Sequence, residues 1–226
     1  MFDSGDMTVP ALRDSPAGSG SPGLEVGLLP VLPALRGLLP GLRRGQVVSV
    51  DKVGALSTAL VAGASEGGAW CAMVGLPECG VLAAAGSGVS LDRLMLVDEP
   101  GERWAEVVAI LLGAVEVVVL RPPARPSVTE VRRLTAFARQ HDAVLVVTGA
   151  SWEGAQVRLR VASSVWTGLG DGHGHLRGRR VRVVAEGKGR PRAEWLWLPG
   201  PDGEVAEADL AGLDTPAAEA ELPVAG

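Results

Sequence analysis

Short runs of aliphatic and β-branched residues alternate with helix-length segments over the first two thirds of the chain. Most residues in these runs are apolar, so both faces of each predicted strand must be buried. This pattern is typical of a parallel sheet that is covered by helices on both sides and joined by right-handed crossovers. The predicted strands lie at 47–50, 70–75, 93–97, 115–120 and 143–147, and the predicted helices lie at 54–64, 81–85, 103–112 and 128–141.

After Gly149 the helix-length segments stop, and apolar residues alternate with polar ones. Successive side chains of a strand point to opposite faces, so this alternation predicts antiparallel strands with one face in water. A glycine-rich segment at 167–178 is predicted to connect the first two of these strands. The strands are predicted at 156–161, 179–185 and 194–198.

The two ends of the chain differ in composition from its middle. Residues 1–23 are rich in Gly, Ser and Pro and are predicted to form a flexible arm. Residues 24–45 are apolar but interrupted by three prolines, which favours short helical turns. Residues 201–226 are acidic and rich in Ala and Pro, which predicts a disordered tail. We therefore predict one core domain at 24–200.

The net charge of −5 is unevenly distributed along the chain. Residues 201–226 carry −7 and residues 1–23 carry −2, so the body between them carries +4. An acidic tail beside a basic body is a candidate regulator of that body or a hook for a partner. The candidate partner-binding residues of the tail are Asp209, Leu210 and Leu213.

Simple counts exclude several classes of protein. The longest uncharged runs have 13 residues, whereas a membrane-spanning helix needs about 20 apolar residues. Asp3 and Asp6 stand where a signal peptide carries basic residues. Cys71 and Cys79 are too few for a disulfide framework or a four-cysteine zinc site, and we interpret them as small buried apolar residues. We expect a cytoplasmic protein.

Four segments of the chain follow one another in a distinctive order. They are LPALRGLLPGLRRGQVVSV (32–50), WCAMV (70–74), SGVSLDRLMLVDEPGERWAEVVAILLGAVEVVVL (87–120) and GRRVRVVAEGKGRPRAEWLWL (178–198). Together they resemble the core of the RecA family over about residues 30–198. The resemblance implies an α/β fold, a RecA-like core with a mostly parallel central sheet flanked by helices and a C-terminal antiparallel β-ribbon.

The RecA resemblance implies a phosphate loop after the first core strand, and this chain departs from it. A working loop reads G-x-x-x-x-G-K-[ST], in which backbone N–H groups and the lysine hold phosphates and the hydroxyl holds magnesium. Gly54 can serve as the last glycine, but Ala55 stands at the lysine position and Leu56 at the hydroxyl position. Asp51 adds negative charge where a triphosphate would lie, and Lys52 lies on the wrong side of the turn.

Three further parts of the ATP site that the family implies are also missing. The fourth predicted strand ends at Arg121 rather than at the acid that positions magnesium. Pro77 lies nearest to the position of the catalytic glutamate, with Glu78 one step away. The lysines that the family uses across its subunit interface are replaced by Ala185 and Gly187. We therefore predict an inactive site, no cofactor and no enzymatic activity, while Arg121 leaves open a bound anion.

Three segments point to one group of proteins within the RecA-like fold. They are LPALRGLLPGLRRGQVVSV (32–50), AWCAMVGLPECG (69–80) and WTGLGDGHGHLRGRRVRV (166–183). These segments are similar to the actinobacterial ImuA-type proteins, which lack ATPase motifs. This likeness implies a non-catalytic adaptor in DNA-damage-induced mutagenesis, associated with the nucleoid after damage. The implied partners are an ImuB-like Y-family pseudo-polymerase and, through it, an error-prone C-family polymerase for translesion synthesis. The alternative is a divergent nucleotide-dependent recombinase or a DNA-binding regulator of RecA.

A basic stretch between 177 and 192 contains a single acidic residue, Glu186. Because strand side chains alternate between faces, four or five bases of this stretch and its predicted partner strand are expected to share one face. Such a face predicts contact with nucleic acid phosphates or an acidic partner. The alternatives are a solvated ribbon or docking of the chain's own acidic tail. The candidates are Arg158, Arg160, Arg177, Arg180, Arg182, Lys188, Arg190 and Arg192.

Aromatic residues and histidines outside this stretch have competing interpretations. Trp152 follows Gly149 in the loop where RecA-like proteins meet DNA, so it is a candidate for base stacking, although a role in anchoring the loop is favoured. His173 and His175 lie near Asp171, but the surrounding glycines favour a flexible turn over a metal site. The other tryptophans are predicted to lie mostly in the core.

Overall fold

The computed structural model of the protein describes residues 27–169 and 174–209. Its helices are α1 (Ala55–Glu66), α2 (Val81–Gly86), α3 (Trp104–Ala114) and α4 (Val128–Gln140). Its strands are β1 (Leu28–Leu29), β2 (Leu42–Arg43), β3 (Val47–Val50), β4 (Cys71–Val74), β5 (Leu94–Val97), β6 (Val117–Leu120), β7 (Val144–Thr148), β8 (Val157–Leu169), β9 (Gly174–Gly187), β10 (Arg192–Trp197) and β11 (Ala206–Glu207).

Nine of these strands form one sheet in the order β11-β10-β9-β8-β3-β7-β6-β4-β5. From β8 to β5 all neighbours are parallel, whereas β9, β10 and β11 are added to β8 as antiparallel strands. The prediction of a mostly parallel sheet with an antiparallel ribbon at its C-terminal end is therefore confirmed.

Two hydrophobic cores lie on opposite sides of this sheet, which explains why the parallel strands are apolar at nearly every position. On β6, for example, Val117 and Val119 pack in the core beneath α1, whereas Val118 and Leu120 pack in the core beneath α3 and α4. Strand residues that point in turn to two buried faces must all be apolar. In the described part of the chain, no helix combines the length and the apolar character that a membrane span requires.

The proline-interrupted segment before β3 contains the predicted short helical turns and, in addition, two short strands. Its described residues include a 3₁₀ turn at Pro33–Leu35, flanked by β1 and β2, which pair with each other. The sequence did not indicate these two strands. Backbone hydrogen bonds between β1 and β2 satisfy the groups that the interrupted helix pattern leaves unpaired.

The antiparallel strands β8 and β9 are much longer than predicted. They pair from Val157↔Gly187 out to Leu169↔Gly174, so the segment at 167–178 is mostly strand rather than a connection. Its glycines suggested a loop, but one of them serves packing. A Cβ atom at Gly178 would lie 3.0 Å from Cζ3 of Trp197 on the neighbouring strand. Cross-strand hydrogen bonds and this packing outweigh the weak strand preference of glycine.

The acidic tail also begins later than predicted. Strand β11 pairs with β10, so Ala206 and Glu207, within the segment predicted to be disordered, belong to the sheet. The candidate Asp209 follows this strand, whereas Leu210 and Leu213 lie outside the described residues. The predicted arm at 1–23 also lies outside them.

Helix α1 approaches the N-terminal segment closely at Gly63. A Cβ atom at this position would overlap the backbone of Val31 and Leu32. A side chain as small as a methyl group is therefore excluded, because backbone atoms cannot give way as the end of a flexible side chain can. This contact packs the segment that leads into β3 closely against α1.

We expect Gly63→Ala to lower the free energy of unfolding by about 1–3 kcal/mol, because overpacking outweighs the better helix propensity of alanine. Urea denaturation measures this change. The matched control is Gly86→Ala, at the end of α2, where a Cβ atom meets nothing within 4 Å. That variant is expected to match or exceed the stability of the wild type. Equal behaviour of the two variants would contradict the close approach.

Candidate functional site

The turn from β3 into α1 occupies the position of the phosphate loop that the sequence predicted to be degenerate. Gly54 precedes the helix with φ +147° and no side-chain cap. Leu56 is 3% exposed and packs in the core beneath α1. The position that would present a hydroxyl to magnesium is therefore filled by a core side chain. Ala55 is partly buried and packs against the same core, and it offers no positive charge.

The same turn is tied to its neighbouring strands. The Asp51 carboxylate accepts a hydrogen bond from the backbone N–H of Val161, at 3.4 Å. The Lys52 carbonyl accepts one from the hydroxyl of Thr148, at 3.0 Å. Through these two hydrogen bonds the turn joins β3 to β7 and β8. A phosphate loop would instead present free backbone N–H groups to its ligand.

Arg121 and Glu78 form an ion pair in which Arg121 donates to the carboxylate of Glu78. They follow the neighbouring strands β6 and β4, so the sheet brings two of the predicted positions together. Both side chains are about half exposed, so the pair adds little stability. The pair engages Glu78 with a base at the edge of the sheet where the RecA resemblance implies acids for a metal and a water. Pro77 lies exposed in the same turn as Glu78.

A cavity of about 150 Å³ opens beside the first turn of α1, between α1 and α2. Its lining is mainly apolar and includes Met73, Leu76 and Cys79. Ser57 is one of its lining residues, and the buried Oγ of Ser57 has no hydrogen-bond partner among the described residues. A triphosphate needs several donors and positive charges, so this lining does not match one.

The two cysteines lie in different surroundings on this side of the sheet. Cys71 is buried in β4, and burial, together with the charge of Glu116, raises the pKa of its thiol to about 12. Cys79 is partly exposed and lies 3.6 Å from the sulfur of Met73 and 3.7 Å from the hydroxyl of Thr58. Burial as a small apolar residue, as predicted for both, describes Cys71 fully and Cys79 in part.

The antiparallel strands carry a second candidate site, formed by arginines and tryptophans on one face of the sheet. Residues that pair across strands point to the same side. Arg182 pairs with Trp195 and Arg180 with Trp197, while Arg160 pairs with Val184, which lies two residues from Arg182. We call this surface the arginine–tryptophan face, and its members are Arg158, Arg160, Arg180, Arg182, Trp195 and Trp197.

The remaining basic candidates are not part of this face. Arg192 pairs with Ala185 and therefore points to the opposite side, as does Arg177, which lies two residues from Arg179. Lys188 and Arg190 lie in the exposed turn between β9 and β10. The structure thus brings together four of the eight predicted bases, in agreement with the alternation of strand side chains.

The side chain of Trp152 is completely buried, so it presents no face on which a base could stack. Its Nε1–H donates to the hydroxyl of Thr135 on α4, at 3.1 Å, and its carbonyl accepts from Arg158 at 3.4 Å. The candidate role in base stacking was therefore wrong, and the anchoring role describes the contacts. Trp166 was predicted to lie in the core, but its side chain is 45% exposed.

The described residues contain no group of three or more His, Cys, Asp and Glu side chains that could hold a metal ion. His173 and Asp171 lie outside those residues, as does the side chain of His175. The interpretation of this segment as a turn rather than a metal site therefore stays a prediction.

A thiol-reactive alkylating agent is expected to modify Cys79 in the native protein and to spare Cys71. At pH 8 only about one Cys71 thiol in 10⁴ is ionised, and the thiolate is the reactive form. Mass spectrometry of the labelled peptides measures the two rates. Labelling in denaturant is the control, in which both cysteines should react. Equal rates in the native protein would contradict the burial of Cys71.

Comparison with known proteins agrees with this architecture. The family described as the MT3502 N-terminal domain matches residues 37–154. The chain is 33% identical over 142 residues to "Uncharacterized protein Rv3395c" of Mycobacterium tuberculosis (strain ATCC 25618 / H37Rv), covering 62% of this chain and 67% of that protein. The crystal structure of the RadB recombinase superposes with a TM-score of 0.55 at 15% identity, over 78% of this chain and 97% of the other, and shows the RecA-like fold. The chain belongs to the MT3502 N-terminal domain family.

Proposed function

We propose that the protein is a non-catalytic RecA-fold adaptor in DNA-damage-induced mutagenesis. The observation that carries this proposal is the ion pair between Arg121 and Glu78. It occupies the edge of the sheet where the RecA resemblance implies two acids, one for magnesium and one for the attacking water. A base lies at one position and Pro77 nearest to the other, and the carboxylate one step away, Glu78, is engaged with that base, so neither role is filled.

The start of α1 supports the same conclusion independently. The lysine and hydroxyl positions hold Ala55 and Leu56, and Leu56 is built into the core. Restoring the hydroxyl would require removing a buried leucine, which costs about 2–5 kcal/mol in typical cores. The absence of a phosphate loop is therefore linked to the packing of the core. This is expected for a protein that functions by binding partners through its surface and not by hydrolysing ATP.

The proposed partners follow from the resemblance to the ImuA-type proteins. They are an ImuB-like Y-family pseudo-polymerase and, through it, an error-prone C-family polymerase in translesion synthesis. RadB is a recombinase by name, and this chain shares its fold alone. In this proposal the RecA-like core supplies a rigid scaffold, and the acidic segment after β11 contributes to capture of the partner.

The purified full chain is expected to hydrolyse no ATP above a protein-free blank, with or without single-stranded DNA. Phosphate release measures this, with an active RecA-fold ATPase as the positive control. DNA-stimulated hydrolysis would overturn the proposal. A saturable shift of the melting temperature by ATP that Lys52→Ala abolishes would favour the alternative, a divergent nucleotide-dependent protein.

Truncation after Asp209 is expected to weaken capture of the pseudo-polymerase partner. This end point keeps β11 in the sheet, whereas a cut at Gly200 would also remove a paired strand. Affinity purification of the tagged full chain and the truncated chain from DNA-damaged cells compares the yields of partner. Equal melting temperatures of the two proteins are the control for folding. Equal yields would contradict a role for the tail, and absence of any translesion polymerase component from both would contradict the adaptor function.

A further inference from the structure

We propose that the arginine–tryptophan face binds single-stranded nucleic acid. The inference goes beyond the adaptor function, because it concerns a surface that need not touch a protein partner. It rests on four properties of this face: its lack of a helical cover, its charge, the surroundings of Arg180, and its two partly exposed tryptophans.

The arginine–tryptophan face lies on the same side of the sheet as α3 and α4, but beyond them. Arg158 pairs with Ser49 of β3, and Val47, two residues earlier in that strand, packs in the core beneath α3 and α4. Among the described residues no helix continues this layer over β9 and β10. Arg158, Arg160 and Arg182 are accordingly exposed.

Positive charge dominates the arginine–tryptophan face. Its four arginines meet one carboxylate within the paired strands, that of Glu186, which lies 3.8 Å from Arg160. Both partners are about half exposed, so a phosphate can displace this weak pair. Glu194 and Glu207 pair with Val183 and Leu196, so they point to the opposite side of the sheet. The register of the strands therefore separates bases from acids.

Arg180 is held by an aromatic ring instead of by an acid. Its guanidinium lies 4.6 Å from the ring centroid of Trp197, and among the described residues no carboxylate pairs with it. Among the described residues its Nε is buried without a hydrogen-bond acceptor, which is costly for a charged group. Gly178 of β9 has no side chain and so leaves room for the ring of Trp197 on the neighbouring strand β10. Arg180 and Trp197 are both partly exposed, so a planar cation and an aromatic ring lie together at this surface.

A single strand matches these properties better than a duplex or an acidic peptide does. Same-face side chains along a strand repeat about every 6.7 Å and neighbouring strands lie about 4.8 Å apart, so the arginines form a grid over an open sheet. Unpaired bases stack on aromatic rings and on guanidinium planes, while their phosphates contact the surrounding arginines. A duplex hides the faces of its bases, and an acidic peptide uses the charge without the stacking surface.

The test is fluorescence anisotropy of a labelled oligothymidylate of about 20 nucleotides with the full chain and with the chain truncated after Asp209. We expect saturable binding that weakens as salt rises and that exceeds binding to a duplex of equal length. Arg160→Ala combined with Arg182→Ala should weaken binding at least about tenfold and lower the slope of log K against log salt by about 1.4, or about 0.7 for each phosphate that an arginine no longer neutralises.

The matched control removes two exposed arginines elsewhere, through Arg125→Ala and Arg132→Ala. It should leave the affinity within about twofold, because net charge alone does not create the site. Arg180→Lys separates stacking from charge. It should weaken binding while leaving the salt slope unchanged, because lysine keeps the charge and loses the planar stack.

Equal loss of binding in the face variant and in the control variant would overturn the proposal, as would equal affinity for the single strand and the duplex. Tighter binding of a peptide containing residues 210–226 than of the oligonucleotide would assign the face to the chain's own acidic segment instead.

Ultraviolet cross-linking of the oligonucleotide to the wild-type chain keeps the test valid if a variant fails to fold. Cross-linked peptides must include β8, β9 or β10. Failure here leaves the partner-capture experiment unaffected, so the two proposals are tested separately.

Discussion

Burial of both faces of the parallel strands is the constraint on which the rest of the structure depends. Strands β3, β7, β6 and β4 lie between two cores, so nearly all of their side chains belong to one core or the other. The helices that supply these cores can only follow the strands as crossovers. This arrangement places the ends of β3, β4 and β6 at one edge of the sheet, where the RecA resemblance implies nucleotide chemistry.

At that edge the fold has kept its geometry while its side chains have changed. Leu56 packs where a hydroxyl would face solvent, and Arg121 engages Glu78 across two neighbouring strands. The sheet still brings these positions together, because neighbouring parallel strands end at the same edge of a sheet. What the positions do is decided by their side chains, and the ion pair beside an apolar cavity is the basis of the adaptor function proposed above.

Strand β3 joins this degenerate edge to the antiparallel strands. It pairs with β7 on one side and with β8 on the other, and the contacts of Asp51 and Lys52 tie its end to the same two strands. The arginine–tryptophan face is thereby held on a rigid frame. Sites built on strands of a scaffold keep their geometry better than sites on loops do.

The sequence by itself determined the parallel sheet, the antiparallel extension and the missing phosphate-loop motif, because local apolar patterns and motif letters carry this information. It also indicated that four or five bases share a face, since strand side chains alternate. Only the tertiary structure decided which four arginines share a face with two tryptophans. The register of the strands determines this, and register depends on pairing between distant parts of the chain. It likewise buried Trp152 and placed the described residues of the glycine-rich segment, 167–169 and 174–178, in strands, because packing and cross-strand hydrogen bonds outweigh local propensity.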